Sequence, residues 1–339
     1  MKSYLVVGGG GFLGRYIVEA LLARGETKVH VFDIRKSYED TRVTFHVGDI
    51  RVLDDLLAAC QGIDCVFHTA SPTHGMGYDL YYSVNVTGTE TLVEACRRAN
   101  VRQLVYTSSS SVVFNGSDIV NGDETMPYVK THLDPYNKTK ELGERAVLAA
   151  NSAQLLTCAL RPAGIFGPRD VQGWPQYLKA AKEGKNKFMF GSGNNLCDWT
   201  YIDNVVHAHL LAADKMTEQS KIPGQAYFIT NDEPIPFWDM PIFAYEAFGY
   251  ERPKIKVPFL VIYAIAWLID LIVLILSPVV KIHPTITVFR MVYSNSTRYF
   301  NIAKAKRDLQ YKPIVSVEEG MERTKVWFKQ NYSQFIKRK

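Results

Sequence analysis

Tyr136 and Lys140 stand four residues apart in the stretch DPYNKTK, at 134 to 140. Asp134 suits the position that caps a helix and Pro135 its first turn, so a helix is expected from here to about Ala150. Residues four apart share a helical face and residues two apart do not, which pairs Tyr136 with Lys140 and turns Lys138 away. The same face continues through Gly143 and Val147, a small residue and an apolar one, suited to close packing. An ammonium beside a phenol favours the phenolate. Lowering a tyrosine from about 10 to roughly 7 takes about 4 kcal/mol of differential stabilisation, within reach of a lysine acting with a bound cation. Tyr136 would then be a proton acceptor matched to neutral pH.

Upstream, VYTSSSSVVF ends a β-branched and aromatic run in four serines, Ser108 to Ser111. Hydroxyls at the carboxyl end of a parallel strand face the crevice in which such sheets bind ligands. One serine suffices to hold a substrate oxygen beside the tyrosine, and the other three read as a polar turn.

A third group lies near the N-terminus, where the run YLVV ends in GGGGFLG, readable as Gly8-x-x-Gly11-x-x-Gly14 or as Gly9-x-Gly11-x-x-Gly14. Glycine is required where a turn needs positive φ and where backbone must approach a pyrophosphate. The helix expected from about Phe12 to Ala23 points its free amides and partial positive charge at that phosphate. Asp33 follows Gly14 by 19 residues and ends the second expected strand. A carboxylate there bonds a ribose 2′-hydroxyl and repels a 2′-phosphate, which favours NAD; Arg35, two residues on, keeps NADP open. The cationic nicotinamide of such a cofactor would add its charge to that of Lys140.

The elements that must position these groups alternate along the chain. The runs YLVVG, KVHVFD, VTFHVGD, CVFHTA and QLVYTS are separated by helix-length amphipathic segments, the pattern of a doubly wound α/β fold around a parallel sheet. LLTCALRP, AYFIT and the helical YIDNVVHAHLLAADKM continue it until the composition changes near residue 250. Residues 1–162 are expected to form the NAD-binding Rossmann region with the catalytic residues. Residues 163–339 are expected to be mainly a smaller substrate region, with strand and helix returns to that core.

At 339 residues and 47% hydrophobic content the chain can bury a large core. Its 39 basic and 34 acidic residues are spread along the sequence, without the one-faced basic footprint of a nucleic-acid binder. Five cysteines, with no histidine framework at ligand spacing, are expected as reduced buried thiols rather than disulfides or a metal site. The first residues run straight into the glycine cluster, far short of a secretory signal, so the N-terminal half is expected in the cytosol. The five Asn-x-Ser/Thr triplets, at Asn85, Asn115, Asn137, Asn295 and Asn331, are read as chance.

Together the glycine turn, Asp33, the serine run and the Tyr136/Lys140 pair resemble the extended branch of the short-chain dehydrogenase/reductase superfamily. GDI at 48 to 50, HTASP at 68 to 72, NVTGT at 85 to 89, LRPAGIFGP at 160 to 168 and YIDNVVHAHLLA at 201 to 212 extend the likeness along nearly the whole chain. The resemblance implies that Gly8, Gly11, Phe12, Leu13 and Gly14 cradle the cofactor, with Asp33 on its ribose and Asp49 and Ile50 against adenine. It also implies that Ala70 and Asn85 line the groove, and that Pro162 and Ala163 sit near the nicotinamide. Ser109, Tyr136 and Lys140 match the catalytic set, with Ser108 and Ser110 adjoining as alternatives for the serine; Tyr136 and Lys140 also reach the cofactor.

Within that branch the chain is similar to 3β-hydroxysteroid dehydrogenases, and among them to decarboxylating sterol-4α-carboxylate 3-dehydrogenases. TSSSSVVFNGSDIVNGDETMPY at 107 to 128, ERAVLAAN at 144 to 151 and SPVVKIHPT at 277 to 285 carry this likeness. The implied reaction oxidises the 3β-hydroxyl of a 4α-carboxysterol and releases carbon dioxide. The resemblance further implies a homodimer, a sterol substrate, a complex with other enzymes of sterol carbon-4 demethylation, and a place on the cytosolic face of the endoplasmic reticulum or on lipid droplets. A 3β-hydroxysteroid dehydrogenase/isomerase, a nucleotide-sugar epimerase or reductase, and a non-catalytic NAD-sensing scaffold are the rival readings.

FLVIYAIAWLIDLIVLIL, at 259 to 276, carries one charge, Asp270, and is marginal for a bilayer span of about 20 residues. Arg252, Lys254 and Lys256 precede it and Lys281 and Arg290 follow, which places both ends on one side of a membrane. A membrane-associating helix or hairpin within 257–280 is therefore expected, against the alternatives of a buried helix or a dimer interface.

Overall fold

The computed structural model describes residues 2–73, 75–276, 284 and 286–337. Seven strands build the main sheet: β1 (Tyr4–Val7), β2 (Val29–Asp33), β3 (Val43–Val47), β4 (Cys65–His68), β5 (Gln103–Thr107), β6 (Leu156–Pro162) and β7 (Gln225–Ile229). All neighbours are parallel, in the order β3-β2-β1-β4-β5-β6-β7. Helices cover both faces, so the strands alternate between two cores rather than between core and water. Tyr4 and Val6 of β1 join one core with Ile17, Leu21, Val205 and Ala212; Leu5 and Val7 join the other with Leu56, Leu92 and Val147. Four of these covering helices are Phe12–Ala23 and Ile202–Lys215 on the first face, and Gly88–Arg98 and Pro135–Ala149 on the second. This is the doubly wound sheet expected from the alternating runs.

The strand order reverses between β1 and β4, which opens a crevice at their carboxyl ends. Gly8, with φ +82°, follows β1, and a Cβ there would stand 2.6 Å from the Ala70 amide nitrogen beyond β4. Only glycine allows the two strand ends to approach so closely.

A second, smaller sheet has four strands. Ile235–Pro236, Leu196–Cys197, Arg298–Phe300 and Ile119–Gly122 lie side by side in that order. Phe188–Phe190 pairs in parallel with Ile255–Val257. The buried Asp198 accepts from the Phe300 amide at 2.8 Å, and burial raises its carboxyl to about 7. All five cysteines are buried and free.

The apolar segment forms a helix, Phe259–Leu276, about 27 Å long at 1.5 Å per residue. Ile262 and Ala266 are buried against Met291, whereas Leu260, Trp267 and Leu274 are 78%, 56% and 70% exposed. That excludes a helix buried within the chain. It is the one helix among the described residues long and apolar enough to cross a membrane. Yet Ile255–Val257 before it and Arg298–Phe300 after it both join strands of the main body, so the chain leaves and returns on one side. SPVVKIHPT, apart from Pro284, lies outside the described residues.

Candidate active site

The helix carrying Tyr136 begins as expected: the Asp134 carboxylate accepts from the Tyr136 amide at 2.8 Å, Pro135 occupies the first turn, and the helix runs to Ala149. Gly143 explains how that helix gets so close to its neighbours. A Cβ there would stand 2.5 Å from the Asn85 carbonyl oxygen and 2.7 Å from the Tyr106 hydroxyl. Val147, one turn on, is fully buried.

Lys140 is 3% exposed and donates to the Thr107 carbonyl at 2.5 Å, with its ammonium 4.2 Å from the centre of the Tyr106 ring. Burial pulls it down to about 7, against the opposing influence of Glu144. Lys138 instead lies over the Tyr78 ring at 5.2 Å. Thr107 is also held through its side chain. His209 donates from Nδ1 to the Val205 carbonyl at 2.7 Å, which leaves Nε2 to accept from the Thr107 hydroxyl at 2.7 Å. Burial holds His209 at about 4 and His68, beneath Tyr106, at about 3, so both rings are neutral.

Thr107 ends β5, and this double anchorage fixes where the serine run starts. Ser109 caps the 3-10 turn Ser110–Val113 and its hydroxyl meets that of Ser111 at 2.8 Å. Ser109 is also the one serine of the run close enough to the Tyr136 phenol to favour its ionisation. Ser108 points into the core, where its hydroxyl has no partner among the described residues. Tyr81 packs edge-on to Tyr136 with centroids 5.8 Å apart.

Burial pushes the Tyr136 phenol up, against the downward pull expected of Lys140 acting with a bound cationic nicotinamide, and Ser109 pulls the other way. The physical reason is that the same burial acts on both groups. It also favours the neutral form of Lys140, whose nitrogen meets the Thr107 carbonyl.

The remaining predicted residues have the following surroundings. The Gly11 amide donates to the Gly8 carbonyl at 3.0 Å, and a Cβ on Gly14 would stand 2.2 Å from that oxygen, so Gly8, Gly11 and Gly14 form one interlocked turn. Phe12 and Leu13 open the helix that follows. Asp33 accepts from the Gly10 amide at 3.0 Å, which places its carboxylate at the rim of the turn. Asp49 is ion-paired with Arg51 at 2.5 Å, which depresses its carboxyl, while Ile50 packs on Gly88.

Asn85 sits in a π-helical turn, Ser83–Thr87, inserted where two helical segments join, a local widening often found at functional sites. Its side-chain amide donates to Thr139 at 3.1 Å, and its Oδ1 is buried without a partner among the described residues. Pro162 ends β6, and the Ala163 amide donates to the Ile229 carbonyl at 3.2 Å. Thr107, His209, His68 and Tyr106 were not singled out from the sequence; a buried histidine within a quoted motif was the available signal for the two histidines. No group of three or more metal-ligating side chains occurs among the described residues.

Comparison with known proteins bears on the same crevice. The model of the 3-beta hydroxysteroid dehydrogenase/isomerase family matches residues 5–259. The chain is 46% identical over 95% of its length, and 90% of the relative's, to the sterol-4-alpha-carboxylate 3-dehydrogenase, decarboxylating, of Mus musculus. It is 39% identical over 96% of its length, and 98% of the relative's, to the protein of that name in Saccharomyces cerevisiae. Among solved structures, UDP-glucuronic acid 4-epimerase from Bacillus cereus in complex with NAD is similar, with a TM-score of 0.73 and 25% identity, covering 98% of this chain and 100% of that one.

Proposed function

The chain belongs to the 3-beta hydroxysteroid dehydrogenase/isomerase family, and from that premise we propose that it oxidises the 3β-hydroxyl of a 4α-carboxysterol to the 3-ketone, with loss of carbon dioxide and with NAD as cofactor. The observation that carries this reading is Ser109 against Tyr136, above a buried Lys140, in a chain so similar to dehydrogenases of that name.

The crevice fits a dinucleotide. The interlocked glycines leave bare backbone where side chains would intrude, and the buried Asn85 Oδ1 lacks a partner among the described residues. Gly8, Gly11, Phe12, Leu13 and Gly14 would hold the pyrophosphate at the helix N-terminus. Asp33 would receive the ribose hydroxyls and disfavour a 2′-phosphate, Ile50 and the Asp49 segment would flank adenine, and Ala70, Asn85, Pro162 and Ala163 would line the rest. When bound, the nicotinamide supplies a hydride acceptor for carbon 3.

Tyr136 takes the proton of the 3β-hydroxyl, and Ser109 orients that oxygen. This asks Tyr136 to ionise against the upward pull of burial, so it depends on Ser109, which favours the phenolate, and on the positive charge of Lys140. Oxidation leaves a β-keto acid. Its carbon–carboxylate bond breaks as the electron pair moves into the new carbonyl, forming an enolate with release of carbon dioxide. Here burial helps: a phenol that holds its proton tightly can donate, with Ser109, to the developing oxyanion.

The Phe259–Leu276 helix lies on lipid and admits the sterol from it, with both of its ends on the cytosolic face. The reading places the protein on the endoplasmic reticulum or lipid droplets, as a homodimer, beside other enzymes of carbon-4 demethylation. Purified protein given NAD and a 4α-carboxysterol is expected to form NADH and release carbon dioxide, with Tyr136→Phe retaining less than a few per cent of both. NADH without carbon dioxide would favour a plain 3β-hydroxysteroid dehydrogenase; neither signal would return the nucleotide-sugar and scaffold readings.

A further inference from the structure

Asp270, the one charged residue of the apolar helix, turns a carboxylate oxygen onto the Val288 amide at 2.9 Å. Val288 opens the helix Val288–Asn295, whose Thr287 cap accepts from the Arg290 amide at 3.2 Å. A carboxylate in an apolar helix is costly, and here it satisfies an amide that the second helix leaves free. The two helices are thereby clipped together.

The far end of the second helix reaches the serine segment. Tyr293 packs edge-on to Phe114, with centroids 6.0 Å apart, and Phe114 closes the 3-10 turn that Ser109 caps. The Arg298 guanidinium stands 3.6 Å over the Tyr293 ring and 5.0 Å over Phe114. A Cβ on Gly116 would stand 3.3 Å from Val292, and the Ser296 hydroxyl donates to the Gly116 carbonyl at 3.2 Å. Phe114 in turn ends the turn that Ser109 caps, so the Tyr293 ring backs the serine segment directly. An unbroken run of contacts therefore leads from the exposed apolar helix to the reacting centre.

We propose that Tyr293 is a substrate-positioning residue in the wall of the reaction site, and that lipid contact of the Phe259–Leu276 helix sets its place through the Asp270–Val288 link. This rests on the membrane reading above. A sterol leaving lipid then meets a wall already in register with the surface it came from. The lipid-bound helix and the serine segment move together.

Two measurements on the full chain test it. With phosphatidylcholine vesicles, amide hydrogen exchange is expected to slow several-fold in 259–276 and also in 288–296 and 109–116. In Asp270→Leu the slowing should stay within 259–276, whereas Asp270→Asn, which keeps an oxygen for the Val288 amide, should behave as the parent. Slowing confined to 259–276 in the parent, or unchanged spread in Asp270→Leu, overturns the link, and so does a parent that ignores vesicles. Tyr293→Phe should raise the sterol KM ~3- to 10-fold, the worth of one hydrogen bond, with the NAD KM and the melting temperature unchanged. An unchanged sterol KM overturns the role of Tyr293. A parent that binds vesicles yet oxidises no carboxysterol fails the functional reading, and the exchange result still decides the link.

Discussion

Lys140 donates to the carbonyl of Thr107 at 2.5 Å, so a buried ammonium joins the helix that carries Tyr136 to the strand that ends in the serine run. Burial holds that ammonium at about 7, well below its ordinary value near ~10.4. Between those values the unfolded chain binds a proton that the folded one does not, so stability rises with pH across the window. Below about 7 the folded state carries the whole cost of the buried charge.

Lys140→Met removes that cost and keeps the volume. At pH 6 the variant should be more stable than the parent by about 1–3 kcal/mol, after allowing for the Thr107 carbonyl left without its donor. By pH 9 the advantage should shrink by roughly 2 kcal/mol, with activity lost throughout. Urea unfolding at the two pH values decides it; an advantage that grows with pH would sink the account.

Gly143→Ala sets two effects against each other. Alanine favours a helix by about 1 kcal/mol, but its Cβ would press within 2.5 Å of the Asn85 carbonyl and 2.7 Å of the Tyr106 hydroxyl. Neither neighbour is the tip of a long flexible side chain, so overpacking wins and the net loss should be about 1–3 kcal/mol. Because Tyr136 and Lys140 ride on that helix, turnover should fall at least about tenfold, as even a small misplacement at a reacting centre is costly. Thermal melts and initial rates at parent level would refute the packing argument.

Asp33→Ala tests the choice of cofactor. The carboxylate meets the Gly10 amide at the rim of the glycine turn, so its loss should weaken NAD as well as admit NADP. The ratio of kcat/KM for NADP to that for NAD should rise about tenfold or more, equivalent to about 1.4 kcal/mol. An unchanged ratio would mean that selection lies elsewhere, with Arg35 the next residue to vary.

The sequence disclosed what depends on local spacing. Asp134, Pro135 and the four-residue interval set the helix of Tyr136 and Lys140 and its face, and the glycines with Asp33 set the first crossover. Long-range packing stayed hidden. The π-helical turn that brings Asn85 inward depends on Gly143 some sixty residues later, and the grip of His209 on Thr107 spans more than a hundred. Asp270 stood out only as the one charge of the apolar run because its partner amide, on Val288, lies beyond that run. The burial that opposes ionisation of Tyr136 was hidden as well, because spacing gives proximity and says nothing of desolvation.

The order of the strands also has a consequence for synthesis. All seven strands of the main sheet have left the ribosome by Ile229, before the apolar helix begins at Phe259. Arg298–Phe300, which pairs with Ile119–Gly122, comes some 22 residues after that helix ends. N-terminal units fold first during translation, and contacts of high sequence separation close last. The nascent chain therefore presents its apolar helix from an already assembled main sheet, and the pairing of Arg298–Phe300 with Ile119–Gly122 closes only after that helix has emerged.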